Sequence, residues 1–495
     1  MAGSQVVDYM RLPTILKRYR FEDKLRHTET HSRKLMNPDV HGNPSKLREL
    51  LLPWELECFV SLSIKACEWK YDSLDETHFI QMMNGIRDAY HPELQKKEES
   101  SQFSLWFMMV TSATQFDYSE SFWHKLYRCA YYFSYISDKI NMPEEFLKKF
   151  GIDYQSVMTF SLALWIMYIA EAKDVSQGKR EMMEKHPQIV SLLTMSRDSF
   201  IAELDSLTSD PMDYIYCLRP SYSFPFVSYK DETYLPLPHL LLRASTSSLM
   251  FRLTDGNDAL REIVGLEVLE SYLFHILSHY SEFEHIEKEI IYTKGALKNQ
   301  RSADVMTSIG DQIICFDSKS FAPKVALRVF SEEALSAECI RLGKAVKQMY
   351  EQIHNKFGVE YKPFDVPVNE DRSNIWGIVV VSENPCIHLD DIYAEAVRQL
   401  KVDFSAEEYE WLQSHVGIVA LSSIEYQVFS SNDILSVVKQ NASTKRYNDH
   451  WFTNVKFVAE TTEMKEFKKQ QSSLAAQQLL SLPCVAKNQL ILGRK

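Results

Sequence analysis

The residue types able to do chemistry crowd into one stretch, Ser302 to Ser320, which reads SADVMTSIGDQIICFDSKS. Apolar and polar residues alternate on both sides of Ile309-Gly310-Asp311, the pattern of two short strands joined by a tight turn. On the second strand Asp317 and Lys319 share a face, because side chains along a strand repeat with a period of two. If Gly310 and Asp311 are the central residues of a two-residue turn, Gly first as type II′ prefers, Asp304 lies directly opposite Asp317. Two carboxylates then converge beside an ammonium. Like charges facing each other across a sheet cost stability, and a divalent cation removes that cost. Mg²⁺ takes hard oxygen ligands, is commonly held by one or two carboxylates, and leaves room for water and phosphate. A lysine beside it stabilises developing phosphate charge or helps activate a water. The plain alternative is that Asp-x-Lys is a common triplet with its charges in solvent.

These residues need a frame to hold them, and the chain is long enough to build one. Its 495 residues suffice for two or three domains, and 45% hydrophobic, 25% charged and 12% aromatic residues describe an ordinary globular protein. A formal net charge of -12 argues against an indiscriminately basic nucleic-acid coat, so any polyanion contact must come from local patches. Eight cysteines are scattered without a C-x-x-C pair and the N-terminus carries no signal-peptide pattern, which fits a reducing, cytoplasmic setting and argues against a cysteine-based zinc site. The most apolar run, Val157 to Ala170, is shorter than the roughly 20 residues a membrane-spanning helix needs and reads as a buried core helix.

Residues 1–208 read as a mostly helical N-terminal domain. Trp54–Lys70, Asp75–Ala89, Phe103–Thr114, Glu120–Asp138, Pro143–Phe150 and Ser156–Ala172 have apolar residues at three- and four-residue spacing, and polar Lys173–Gln188 reads as a connection. Basic residues including Arg11, Lys17, Arg18, Lys24, Arg26 and Arg33 gather near the start, either to track a phosphate backbone or as an ordinary solvated surface. Residues 209–465 read as an α/β domain with a mixed sheet, and 466–495 as a C-terminal helix and tail. The spacing predicts a long helix over Asp258–Tyr280 carrying Glu267 and Glu270, a strand at Glu289–Thr293, and then the hairpin. Ser331, Glu332 and Glu333 start a helix that ends near Phe357. Ile375–Ser382 and Val416–Leu421 are continuous apolar runs separated by helical segments, as strands buried on both faces are. That alternation implies parallel pairing at one edge of the sheet.

With this order in view, the stretch Pro220 to Asn441 resembles the PD-(D/E)XK nuclease superfamily, of restriction-endonuclease-like fold with an αβββαβ core. The resemblance rests on Asp304, Asp317, Ser318, Lys319 and the acidic helix VGLEVLESYL, and is strongest toward restriction-type nucleases of bacterial anti-phage defence. The proline that names the motif is replaced by Ala303. The resemblance implies that Asp304 and Asp317 ligate Mg²⁺, with Mn²⁺ as substitute, and that the Ser318 carbonyl adds a ligand. It implies that Lys319 orients or activates the attacking water and that Glu270, with Glu267 as runner-up, is the helical acid. The implied activity is endonucleolytic hydrolysis of phosphodiester bonds, in DNA before RNA. Lys294, Lys298, Arg301 and Lys324, with Arg328 beyond them, form a local basic excess suited to positioning phosphates, or else are solvated loop charges.

Other readings stand beside it. One is a non-catalytic nucleic-acid-binding or adaptor protein on the same fold, another an RNase acting on tRNA, a third a helical interaction protein in which Asp-Ser-Lys is incidental. A homo-oligomer or a phage-derived trigger would fit the defence role. His275 and His279, one helical turn apart with His285 nearby, have the spacing of a transition-metal site, but no Glu follows His275 as H-E-x-x-H requires, and an ordinary pair of histidines is the simpler reading.

Overall fold

A computed structural model describes residues 7–37, 46, 49–66, 71–89, 106, 121–170, 175–216, 220–320, 327, 330–385, 387–400, 404–430, 433–444 and 460–484. The first half is helical, as the apolar spacing predicts, with principal helices at Phe21–Leu35, Pro53–Lys65, Glu76–Arg87, Phe122–Ser134 and Tyr154–Ile169. Asp75 and Asp153 cap two of them by accepting from His78 N and Ser156 N. Tyr154–Ile169 is buried nearly all round, the core helix expected there, and no described helix is long and apolar enough to cross a membrane. The expected helix Phe103–Thr114 lies, except for Trp106, outside the described residues. Lys173–Gln188 departs from expectation, because Val175–Lys185 is helical. Only Gly178 and Met182 of that helix are buried, so its apolar stripe is too narrow to stand out in the sequence.

Three short strands follow: β1 (Thr194–Ser196), β2 (Phe226–Tyr229) and β3 (Glu232–Tyr234). β1 pairs in parallel with β2, so this small sheet crosses the expected boundary at residue 209. The C-terminal helix begins at Thr462, ahead of the expected limit at 466, and Gln471 Oε1 on it accepts from Gln155 of the Tyr154–Ile169 helix.

The main sheet has five strands. β4 (His285–Lys288), β7 (Val305–Ile309) and β8 (Gln312–Lys319) are antiparallel neighbours, β9 (Ile375–Val381) runs parallel to β8, and β10 (Val416–Ala420) parallel to β9. Between β4 and β7 the chain makes a separate two-stranded hairpin, β5 (Ile291–Lys294) with β6 (Leu297–Arg301). Glu289 therefore falls between β4 and β5 and does not open a single strand as expected. Helix Glu332–Tyr350 leads from β8 to β9, and helices Leu389–Leu400 and Ala406–His415 lead from β9 to β10. Such intervening helices are what parallel neighbours require.

Alternation along β8 and β9 divides the core between two faces. Ile313, Cys315, Ile375, Val379 and Val381 join Met349 and Ile353 on one side, while Ile314, Phe316, Trp376, Ile378 and Val380 join Leu273, Ile276 and Leu277 on the other. Gly377 is needed at this packing density, since a Cβ there would come within 2.3 Å of Met349 Cγ. Both apolar clusters also take in side chains from the N-terminal helices, among them Phe59 and Phe79 on one side and Phe160 and Leu164 on the other.

Candidate functional site

The turn between β7 and β8 behaves as its sequence requires. Ile309 pairs with Gln312, leaving Gly310 and Asp311 central, and Gly310 has φ +57° while Asp311 is not in the left-handed region. The register then runs Ser308 with Ile313 through Val305 with Phe316, and one further step brings Asp304 level with Asp317. Regular pairing stops at that step. Asp304 sits in a bend before β7, where strict alternation breaks: Ala303 and Met306, three residues apart, lie in the same apolar cluster.

The bend turns the Asp304 carboxylate toward Ser318, whose backbone N–H and hydroxyl both donate to Oδ2 at 2.6 and 2.8 Å. On the same strand end Lys319 Nζ lies 2.5 Å from Asp317 Oδ2. Ser318, expected to offer its carbonyl, meets Asp304 through these two donors. Asp304 is 9% exposed. Burial, followed by the charges of Asp317 and Glu270, raises its pKa well above the ordinary carboxylate range, against Lys319 and the Ser318 N–H.

Glu270 enters from the helix on the second face. Asp258–Ile263, a π-helical Val264–Leu269 and Glu270–Ser278 follow one another without a break, so Glu270 begins the α-helical turn after the π segment. Gly265 of that segment abuts the end of β8, where a Cβ would stand 3.2 Å from Ser320 Oγ. Burial, then Glu289 and Asp317, push the Glu270 carboxyl up to about 7, with Arg301 and Lys319 opposing. Glu267 is held in an ion pair with Lys139, whose charge also reaches Glu270 and Glu289.

Sequence reasoning missed Glu289. It directly follows the last pair of β4 with β7, Lys288 with Val305, at the strand end where Asp304 precedes β7. Glu289 and Asp304 thus both lie near Asp317, whose charge acts on each. Burial raises the Glu289 pKa, Arg301 opposes this from 3.4 Å, and Asp317 adds to it. The one sequence signal was position, an acid directly after the strand that comes to lie beside β7. Lys319 completes the group: burial would lower its pKa, but Asp317, Asp304 and Glu270 outweigh that and hold it above the ordinary lysine value.

The basic residues expected to hold phosphate are divided. Arg301 belongs to the acid cluster through Glu289, Lys294 is ion-paired with Glu360, and Lys298 is exposed on β6. Lys324 and Arg328 lie outside the described residues. Near the N-terminus the basic side chains serve the fold in part, with Lys24 fully buried and donating to Leu16 O at 3.2 Å, and Arg33 donating to Tyr168 O at 2.8 Å.

Chemically, the cluster is four buried or half-buried acids with Lys319 among them, bordered by the exposed cations Arg301 and Lys139. A hard divalent ion held by one or two of these carboxylates would relieve their mutual repulsion, and the donor set suits Mg²⁺ or Mn²⁺. The acids do not close into a tight cage. Among the described residues, the group of three or more His, Cys, Asp or Glu ligand atoms that all lie within 4.8 Å of one another is His275, His279 and Glu463. His285 is elsewhere, with Nδ1 2.9 Å from Ser308 Oγ.

A Ser-His-Glu arrangement also occurs, with Ser32 Oγ 2.7 Å from His239 Nδ1 and Glu57 Oε1 3.2 Å from Nε2. Ser32 is fully buried, which leaves no path for a substrate carbonyl. Comparison with protein-family models, with curated proteins and with solved structures finds no match to this chain.

Proposed function

We propose that the chain is a Mg²⁺-dependent nuclease of the restriction-endonuclease-like kind, cutting phosphodiester bonds at Asp304, Asp317, Lys319 and Glu270. The observation that carries the reading is the gathering of these four groups at the end of β8, with Glu270 lifted to about 7 by burial and by neighbouring acids. Carboxylates that raise one another's pKa at a purely structural position are a standing cost, whereas at a cation site they are ligands.

The order of elements agrees with this reading. A helix bearing Glu270, the antiparallel strands β4, β7 and β8, the helix Glu332–Tyr350 and the parallel strand β9 form an αβββαβ succession, with the β5–β6 hairpin inserted.

In this reading Asp304 and Asp317 hold the cation, with Glu270 or Glu289 completing its shell through water. Bound there, Mg²⁺ would offset phosphate charge and lower the pKa of a coordinated water. Lys319, kept protonated by its three acidic neighbours, neutralises charge on the phosphoryl oxygens and orients the attacking water. Ser318 fixes the Asp304 carboxylate so that its free oxygen has one direction. The substrate is nucleic acid, DNA before RNA, and cytoplasmic defence against phage is the setting that the resemblance suggests.

The test is a cleavage panel: the purified chain with Mg²⁺ or Mn²⁺ on plasmid, single-stranded DNA and tRNA. Metal-dependent cutting that falls by about a hundredfold or more in Asp317→Asn and Lys319→Ala is expected. No cutting of any substrate, or cutting indifferent to both substitutions, sinks the reading. Salt-sensitive binding without turnover would favour an adaptor on the same fold instead, a reading to which the looser than 4.8 Å grouping of the acids lends some weight.

A further inference from the structure

Outside the acid cluster, the helix of Glu270 carries a second set of convergent side chains. His275 and His279 lie one turn apart, and Glu463, from the first turn of the C-terminal helix Thr462–Leu480, reaches between them. His279 Nε2 is 3.1 Å and His275 Nε2 3.6 Å from the two carboxylate oxygens of Glu463. All three ligand atoms fall within 4.8 Å of one another. Four ligands set tetrahedrally around Zn²⁺ at about 2.0–2.2 Å lie about 3.3–3.6 Å apart, so each imidazole already stands near that spacing from one oxygen of the carboxylate, His279 from Oε2 and His275 from Oε1.

The hydrogen bonds around the group point the same way. His279 Nδ1 is 2.7 Å from the carbonyl oxygen of His275, which can only accept, so Nδ1 carries the ring proton. Its Nε2 faces Glu463 Oε2 at 3.1 Å. Glu463 Oε2 is buried and receives no hydrogen bond in spite of that neighbour. A backbone carbonyl holding Nδ1–H is also the usual support of a metal-bound imidazole. Tyr127 braces the other side, its hydroxyl donating to Glu463 Oε1 and lying 2.8 Å from His275 Nε2.

We propose that His275, His279 and Glu463 bind one Zn²⁺ ion, fastening the helix of Glu270 to the C-terminal helix. Two imidazole nitrogens and one carboxylate select zinc or a similar transition ion over Mg²⁺. The site stands independently of the nuclease reading, since none of its ligands belongs to the acid cluster.

To test it, the full chain is stripped with a chelator and titrated with Co²⁺, then with Zn²⁺, in excess Mg²⁺ to saturate oxygen-only sites. One equivalent of Co²⁺ should give the visible absorption of a tetrahedral nitrogen and oxygen site and be displaced by Zn²⁺. His279→Ala, at a side chain 39% exposed, and Glu463→Gln should each weaken Zn²⁺ at least tenfold. Zn²⁺ should raise the melting temperature of the natural chain and not that of His279→Ala. Absence of any bound transition ion, or Zn²⁺ affinity unchanged in both variants, overturns the proposal, the second outcome placing the ion elsewhere.

Discussion

Ser318 grips Asp304 twice, through its backbone N–H at 2.6 Å and its hydroxyl at 2.8 Å, both on Oδ2. Hydrogen bonds to a carboxylate favour its charged form, and this one is otherwise pushed toward the protonated acid by burial and by Asp317. Removing the hydroxyl leaves the N–H bond and little else to hold the anion. Ser318→Ala should weaken Mg²⁺ binding by about tenfold and move the pH at which it binds upward. Calorimetric titration with Mg²⁺ at several pH values reads both effects; unchanged affinity would mean that Asp304 is not a ligand.

Glu270 makes stability fall as the solution becomes more alkaline. Its carboxyl is raised in the folded chain from an ordinary 4.5 to about 7, so the folded state holds a proton that the unfolded state has released. That contribution is fully present below 4.5 and is lost as pH rises through about 7. The melting temperature should therefore decline across this window, less steeply in Glu270→Gln, which keeps a neutral side chain throughout. Mg²⁺ should recover part of the loss above pH 7 in the natural chain. A Glu270→Gln profile parallel to that of the natural chain would assign the decline to other groups.

What the sequence could and could not disclose follows from how local each cause is. The β7–β8 register was legible because Gly310 and Asp311 dictate a two-residue turn, and a turn fixes every pair beyond it. Asp317 and Lys319 share a face for the same local reason. The bend at Asp304 was not legible, since it depends on where β7 stops, and Glu289 was invisible because only the order of strands brings β4 beside β7. The π-helical turn before Glu270 leaves the apolar spacing of a helix nearly intact and gives no sequence mark. His275 and His279 were recognisable as a pair, but their carboxylate comes from the far end of the chain. The division at residue 209 follows a change in composition, while both apolar clusters draw on residues from either side of it.

Arg128 and Glu425 meet in the core through two parallel bonds, Nε to Oε1 at 2.8 Å and NH2 to Oε2 at 2.9 Å, and Tyr272 adds a hydroxyl to Oε1 at 2.6 Å. The side chains are 8% and 0% exposed. Three helices, Phe122–Ser134, Leu421–Phe429 and that of Glu270, are joined at this point. Arg128→Met leaves a buried carboxylate without its cation and should cost about 3–5 kcal/mol in chemical denaturation. Adding Glu425→Met should restore much of the loss, because the isolated charge is then gone as well. A double variant no more stable than the single one would show that the pair contributes beyond its own neutralisation.

The cations of the inserted hairpin differ in how freely they can meet a polyanion. Lys294 is ion-paired with Glu360, and Arg301 with Glu289, so each already has an anion that a phosphate would have to displace. Lys298 is exposed on β6 and makes no ion pair among the described residues. An exposed lysine that contacts phosphate releases a counterion on binding, which gives it a definite signature in salt dependence. Lys298→Ala should weaken nucleic-acid binding about equally for all sequences and reduce the slope of log affinity against log salt by about 1. Lys294→Ala should change the slope less, since Glu360 neutralises its charge beforehand. Fluorescence anisotropy with a labelled duplex over a range of salt concentrations measures both slopes, and an unchanged slope in Lys298→Ala would remove the hairpin from the binding surface.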